Sequence, residues 1–201
     1  MADDVIEGFA LDAADWHPRR ETDLYRYCHH VAGAVGVMMA VVMGVDPADH
    51  DTLDRACDLG MAFQLANIAR DVVPDAETGR CYIPAEWLSE FGLSEGTIAA
   101  PASRAKLAAI AARLVALARP YRASARIGAA KLPLRSRLAV LAADAVYGAI
   151  GERVVDLGER AWDSRVRVSK AAKAALFVKA MARGMANPEV HPRTGLSTRP
   201  R

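Results

Sequence analysis

The stretch LGMAFQLANIARDVVPDAETGRCYIP, residues 59–84, limits the possible folds more than any other part of the chain. Met61, Phe63, Leu65 and Ile68, set among small alanines, leave a helix here with little polar surface, and such a helix has to lie among other helices. Gln64, Asn67, Asp71 and Asp75 interrupt it. At about 100° per residue they fall at roughly 0°, −60°, −20° and +20° around the axis, a single narrow polar stripe. Acids near a helix C-terminus also oppose the macrodipole, at about 0.3–1 kcal/mol each. A Mg²⁺ site accounts for them, because hard cations take carboxylate and amide oxygens and a phosphate-bearing substrate can complete the shell. Arg70 and Arg80 lie close in sequence, and guanidinium groups match phosphate oxygens. A solvent-facing stripe with ordinary surface arginines has the same spacing, so spacing alone leaves both readings open.

The remainder of the chain reads as further helices. Of the 201 residues 52% are hydrophobic and only 6% aromatic, and the heavy use of alanine favours helix. A helix is expected from an N-cap at Thr22 to about Gly44. The next is expected from Asp46-Pro47 as N-cap and N1 proline, with Pro74 and Gly79 ending it. Pro84 opens a short piece through Phe91, and Pro101 a long alanine-rich helix kinked or ended at Pro120. Helices from Leu134 to Leu157 and from Ser169 to about Gly184 complete the pattern. The fold class is all-α, with one helical domain over 1–186 and a basic, disordered tail over 187–201.

A formal charge of +2 gives no reason to expect nucleic acid as a partner. Cys28, Cys57 and Cys81 form no CxxC pair and are read as reduced thiols of an intracellular protein. The longest apolar run, Val31–Val45, is broken by glycines and too short to span a bilayer. The expected location is cytoplasmic. The last helix, SKAAKAALFVKAMARGMA, is cationic with Leu176, Phe177 and Met181 on it, which fits either a core helix with solvated lysines or peripheral contact with the inner face of a membrane.

YCHHVAGAVGVMM (residues 27–39) and the 59–84 stretch together resemble the two signature regions of the squalene/phytoene synthase family, and are most similar to its bacterial phytoene synthases. The likeness runs from IEGFALD (6–12) through LPLRSRLAVLAADAVYGAIG and AWDSR to about Ala180. It implies an isoprenoid-synthase-type helical bundle with a central cavity. It also implies head-to-head condensation of two geranylgeranyl diphosphates to phytoene through a cyclopropyl diphosphate, with Mg²⁺ or Mn²⁺ as cofactor and downstream carotenoid enzymes as partners. A squalene-type synthase acting on farnesyl diphosphate is the nearest alternative. A non-catalytic relative binding lipid or a partner protein is the alternative from another class.

On this resemblance Asp71 and Asp75 match the family's second aspartate-rich motif, with Gln64 and Asn67 supporting it and Asp12 a further acidic, metal-side position. Tyr27 matches a tyrosine near the reacting carbons, and Arg70, Tyr147 and Arg165 match positions near the diphosphates. Arg80 is added as a substrate-side cation. Val31, Ala34, Val35 and Met38 are expected on the Tyr27 side of their helix, with Val31 and Val35 against the prenyl chain. Ala32, Gly33, Ala34 and Gly36 leave either close helix contacts or room for that chain. The family's first aspartate-rich motif lies upstream of the residues matching IEGFALD. The expectation is therefore that N-terminal helices of the bundle are missing, an apolar face is exposed and the isolated chain turns over little.

Overall fold

The structure, a computed structural model, describes residues 2–184 and 192–199. It contains eight α-helices among the described residues and no strand: α1 (Ala2–Ala13), α2 (Glu21–Cys28), α3 (Ala34–Val42), α4 (His50–Glu77), α5 (Ala85–Glu90), α6 (Arg104–Ala130), α7 (Leu134–Leu157) and α8 (Lys170–Gly184). The all-α expectation holds. No helix among the described residues is long and apolar enough to cross a membrane.

α4 is the axis of the bundle. Fourteen of its 28 residues are buried, and it is enclosed by α3, α6 and α7. Its start lies three residues beyond the expected one. Asp46 closes a turn by accepting from the Ala48 N–H at 2.8 Å, and the cap is Asp49, whose carboxylate accepts from the Thr52 N–H at 3.1 Å. Its end also differs: the helix runs through Pro74 to Glu77. Pro74 is exposed, so its ring projects to solvent while Val72 and Val73 beside it are buried. The proline forgoes one backbone bond, and packing of its neighbours outweighs that loss. Gly79 then takes φ +81°, and the Arg80 N–H donates to the Asp75 carbonyl at 2.9 Å to close the terminus. Pro120 likewise lies inside an uninterrupted α6.

Two glycines set the approach of α4 to its neighbour. A Cβ on Gly60 would collide with the Ala32 carbonyl, and one on Gly36 with the Ala56 carbonyl. Gly36 and Gly60 thus serve close helix contact, one of the two expected uses of the small residues here.

Between α2 and α3 the chain makes a π-helical turn, His29–Gly33, which inserts one residue into the helical register. Buried charge ties other helices together. Asp144 of α7, 2% exposed, accepts from Arg122 Nε at 2.5 Å and Arg126 Nε at 2.8 Å, both on α6. The disordered-tail expectation needs correction where the tail is described. Arg193 donates from Nε and Nη2 to the Asp58 carboxylate, both at 2.8 Å, and Arg199 Nε donates to Asp54 at 2.6 Å. Two acids one turn apart on α4, poorly hydrated, recruit cations that composition alone assigns to solvent. Residues 185–191 lie outside the described residues. On α8, Phe177, Val178 and Met181 are exposed, and the three cysteines are buried and free.

Gly60→Ala is expected to lower unfolding free energy by about 3 kcal/mol or more, because backbone must move to admit the methyl group. Gly96→Ala, where nothing lies within 4 Å of the added carbon, should change it by less than about 0.5 kcal/mol. Denaturant titration of the two variants checks the contrast.

Candidate functional site

An elongated cavity of about 420 Å³ runs between α3, α4, α6 and α7. Val31, Val35, Phe63, Gln64, Asn67 and Tyr147 are among its lining residues. On α4, Leu65, Ala66, Ile68 and Ala69 are buried, while Phe63, Gln64, Asn67, Arg70, Asp71 and Asp75 are partly accessible. The polar stripe read from the spacing thus occupies the one side of α4 that other helices leave open. Tyr147 of α7 stacks on Phe63 with ring centroids 4.0 Å apart.

The α3 face differs from expectation. Val31 and Val35 line the cavity, but the residues that continue that wall are Ala32, Gly36, Met39 and Met43, not Ala34 and Met38. Ala34 is 1% exposed, and neither it nor Met38 lines the cavity. The π-helical turn supplies the reason: one extra residue rotates everything after it by about a quarter turn relative to α2.

Charge gathers at the Asp75 end of the stripe, beyond Asn67. Asp71 accepts from Arg70 Nε at 2.9 Å, and a second, shorter bond joins Arg70 Nη2 to the same carboxylate. Arg165, in the segment between α7 and α8, adds a bond from Nη2 at 3.4 Å. Arg70 is held still more firmly protonated by Asp71. Asp75, one turn on, has no such clamp. Burial, and then the neighbouring charge of Asp71, push its carboxyl up to about 6, with Arg80, Arg70 and Arg165 offsetting part of that. A carboxyl strained upward beside another acid, with an amide one turn before, is a donor set that fits a hard divalent cation. Asp71, Asp75 and Asn67 are the residues that would hold it. Arg80 is exposed in the turn after α4, near enough to Asp75 to act on it through charge.

Asp12 and Tyr27 are brought together, but away from that group. Tyr27 is 3% exposed and is not among the lining residues of the cavity. Its hydroxyl donates to Asp12 Oδ1 at 2.9 Å, and the Tyr82 hydroxyl donates to the same oxygen at 3.0 Å. The Tyr27 ring is stacked between Tyr82 at 4.7 Å and Trp16 at 5.8 Å. Burial, with Tyr82 and Asp12 beside it, pushes the Tyr27 hydroxyl far above the ordinary tyrosine value. Asp12 accordingly acts here as the acceptor for a tyrosine pair. Among the described residues Asp12, Asp71 and Asp75 do not form a three-acid group; the one close group of metal-ligand atoms is Asp4, His29 and His30. Sequence reading missed Tyr82 and Phe63 as site-side residues. Tyr82 sits within the signature stretch itself, but its partner Asp12 is 70 positions away, beyond the reach of any local pattern.

The class thus defined is an all-helical bundle with an apolar cavity whose polar stripe continues along α4 from Gln64 and Asn67, which line it, to Asp71 and Asp75. The comparisons make the class specific. The squalene/phytoene synthase family model matches residues 1–172, and the chain belongs to this family. The 15-cis-phytoene synthase of Enterobacter agglomerans is 52% identical over 177 residues, which cover 88% of this chain and 59% of that protein. That of Pantoea ananas is 50% identical over 182 residues, covering 90% and 58%. The chain therefore spans about three fifths of the length of these relatives. Among solved structures, a dehydrosqualene synthase in complex with ligand matches with a TM-score of 0.81 and 28% identity, over 89% of this chain and 62% of that one. A squalene synthase from Alicyclobacillus acidocaldarius matches in fold, with a TM-score of 0.70 and 23% identity over 77% and 58%.

The raised carboxyl of Asp75 gives a pH test. Because its folded value lies above the ordinary 3.8, ionisation disfavours the folded state, with no penalty below about pH 4 and the full penalty above about pH 6. Without divalent metal, Asp75→Asn should therefore stabilise the protein at pH 7.5, and by only about a third as much at pH 4.5. Denaturation midpoints of both proteins at the two pH values give the comparison. Equal effects at both would contradict the assignment.

Proposed function

We propose that this chain supplies the diphosphate-holding stripe and much of the cavity wall of a phytoene synthase-like prenyltransferase, acting on two geranylgeranyl diphosphates in head-to-head condensation with Mg²⁺ or Mn²⁺. One observation carries the reading: Gln64, Asn67, Asp71 and Asp75 follow one another along the single open side of an otherwise buried α4, at an apolar cavity. Relatives at 50% and 52% identity that are 15-cis-phytoene synthases support the substrate length.

The chemistry suits these residues. A bound divalent cation would neutralise the diphosphate as it leaves an allylic carbon. Arg70 and Arg165, now on Asp71, are placed to turn to phosphate oxygens once a cation takes that carboxylate. Val31, Val35, Met39 and Phe63 keep water from the carbocation. Tyr147, stacked on Phe63, faces the same space. Tyr27 and Asp12 act from behind the wall, fixing α2, the helix that leads into the turn carrying Val31.

Of the two acidic motifs the resemblance implies, this sequence holds the second, so binding is a more direct readout than turnover. With Mg²⁺ and geranylgeranyl diphosphate at about 100 times its Kd, Tm should rise by roughly 5–10 °C. Either component alone should do much less, and Asp71→Ala should abolish the joint effect. Farnesyl diphosphate giving the larger rise would favour the squalene-type alternative. No metal-dependent rise with either, or an undiminished one in Asp71→Ala, would contradict the site.

A further inference from the structure

A second basin, of about 430 Å³, lies where α7 gives way to the segment leading to α8. It shares no lining residue with the apolar cavity. Arg153 on α7, Arg160 in the 3₁₀ turn Gly158–Trp162, and Arg165 and Arg167 beyond it all line it, together with Asp163 and Ser164. Gly158, at φ +55°, reverses the chain so that these four arginines from three successive pieces of backbone face one space. One lining carboxylate stands against four guanidinium groups.

Several arginines elsewhere are paired within the protein. Arg113 meets Glu21 and Glu90, Arg119 meets Glu152, and Arg122 and Arg126 share Asp144. Among the described residues the side chains of Arg153, Arg160 and Arg167 have no ion-pair or hydrogen-bond partner, although Asp156, Glu159 and Asp163 lie on the same stretch. Arg165 has Asp71. Clustered like charges that protein acids leave unneutralised raise the local potential and attract anions, and forked donors of this kind match phosphate oxygens two at a time.

We propose that this basin is a diphosphate-binding site distinct from the metal stripe, connected to it through Arg165. Arg165 lines the basin and donates to Asp71 at 3.4 Å, so a diphosphate bound here lies one guanidinium away from the acids of α4. Its role as a way station for a prenyl diphosphate head, or for the diphosphate released, rests on the function proposed above; its capacity to bind the anion does not.

The experiment separates the two. Inorganic diphosphate is titrated into the full chain by calorimetry, in chelator and without divalent metal. Saturable binding is expected, weakening as salt rises. The variant Arg153→Gln/Arg160→Gln/Arg167→Gln, with Arg165 intact and an unchanged far-ultraviolet spectrum, should bind at least about tenfold more weakly. Asp71→Ala should retain binding, which distinguishes failure of this site from failure of the metal stripe. A prenyl diphosphate that binds more tightly than inorganic diphosphate, with the same sensitivity to the three arginines, identifies the substrate head as the occupant. Equal affinity identifies free diphosphate. No binding by the parent chain, or binding unaltered in the triple variant, overturns the proposal.

Discussion

The packing of α4 governs the rest of the molecule. A 28-residue helix buried along half its residues has few directions in which to present a polar group, because each buried polar atom without a partner costs about 1–3 kcal/mol. Leu65, Ile68, Ala69, Val72 and Val73 fix the orientation of the helix against the core. That orientation leaves Gln64, Asn67, Asp71 and Asp75 no place except the open side. Close contact through Gly36 and Gly60 sets the separation of α3 from α4, and hence the width of the cavity between them. Function in this chain is thus a by-product of a tightly constrained core: the stripe is placed by the apolar residues around it.

Two further devices support that arrangement. The π-helical turn rotates α3 so that Ala32, Val35, Gly36 and Met39 form one wall, and the Asp12, Tyr27 and Tyr82 cluster pins the helix just before the turn. An apolar wall held rigidly behind a charged end suits chemistry in which a diphosphate departs and a cation must be kept from water. The Asp71 and Asp75 pair shows how charge is divided there: one acid is neutralised by Arg70 and Arg165, the other is left strained upward.

Much of this was legible in the sequence. The short α5, the span of α7 and the polar stripe follow from apolar periodicity, prolines and caps, all local signals, whereas α1 and the division of the Thr22–Gly44 helix into α2 and α3 were not foreseen. The errors share a different origin. Pro74 and Pro120 stop helices in isolation, yet here tertiary packing on either side carries the backbone through. The π-helical turn has no composition cue in HHVAG, and one inserted residue is enough to move the cavity face from Ala34 and Met38 to Gly36 and Met39. Arg193 and Arg199 look like solvated tail residues until Asp54 and Asp58, more than 130 positions earlier, are seen to be waiting for cations. Tyr27 and Tyr82 become visible as a pair only once α1 brings Asp12 between them.

The most direct measurement is paramagnetic relaxation by Mn²⁺ on a protein labelled at its side-chain amides, recorded with inorganic diphosphate present. The account predicts that the Gln64 and Asn67 amide signals broaden first and most strongly, and that Asp71→Ala removes the effect. Broadening centred on other amides, or persisting at Gln64 and Asn67 in that variant, would show that the α4 stripe is not the metal–diphosphate site.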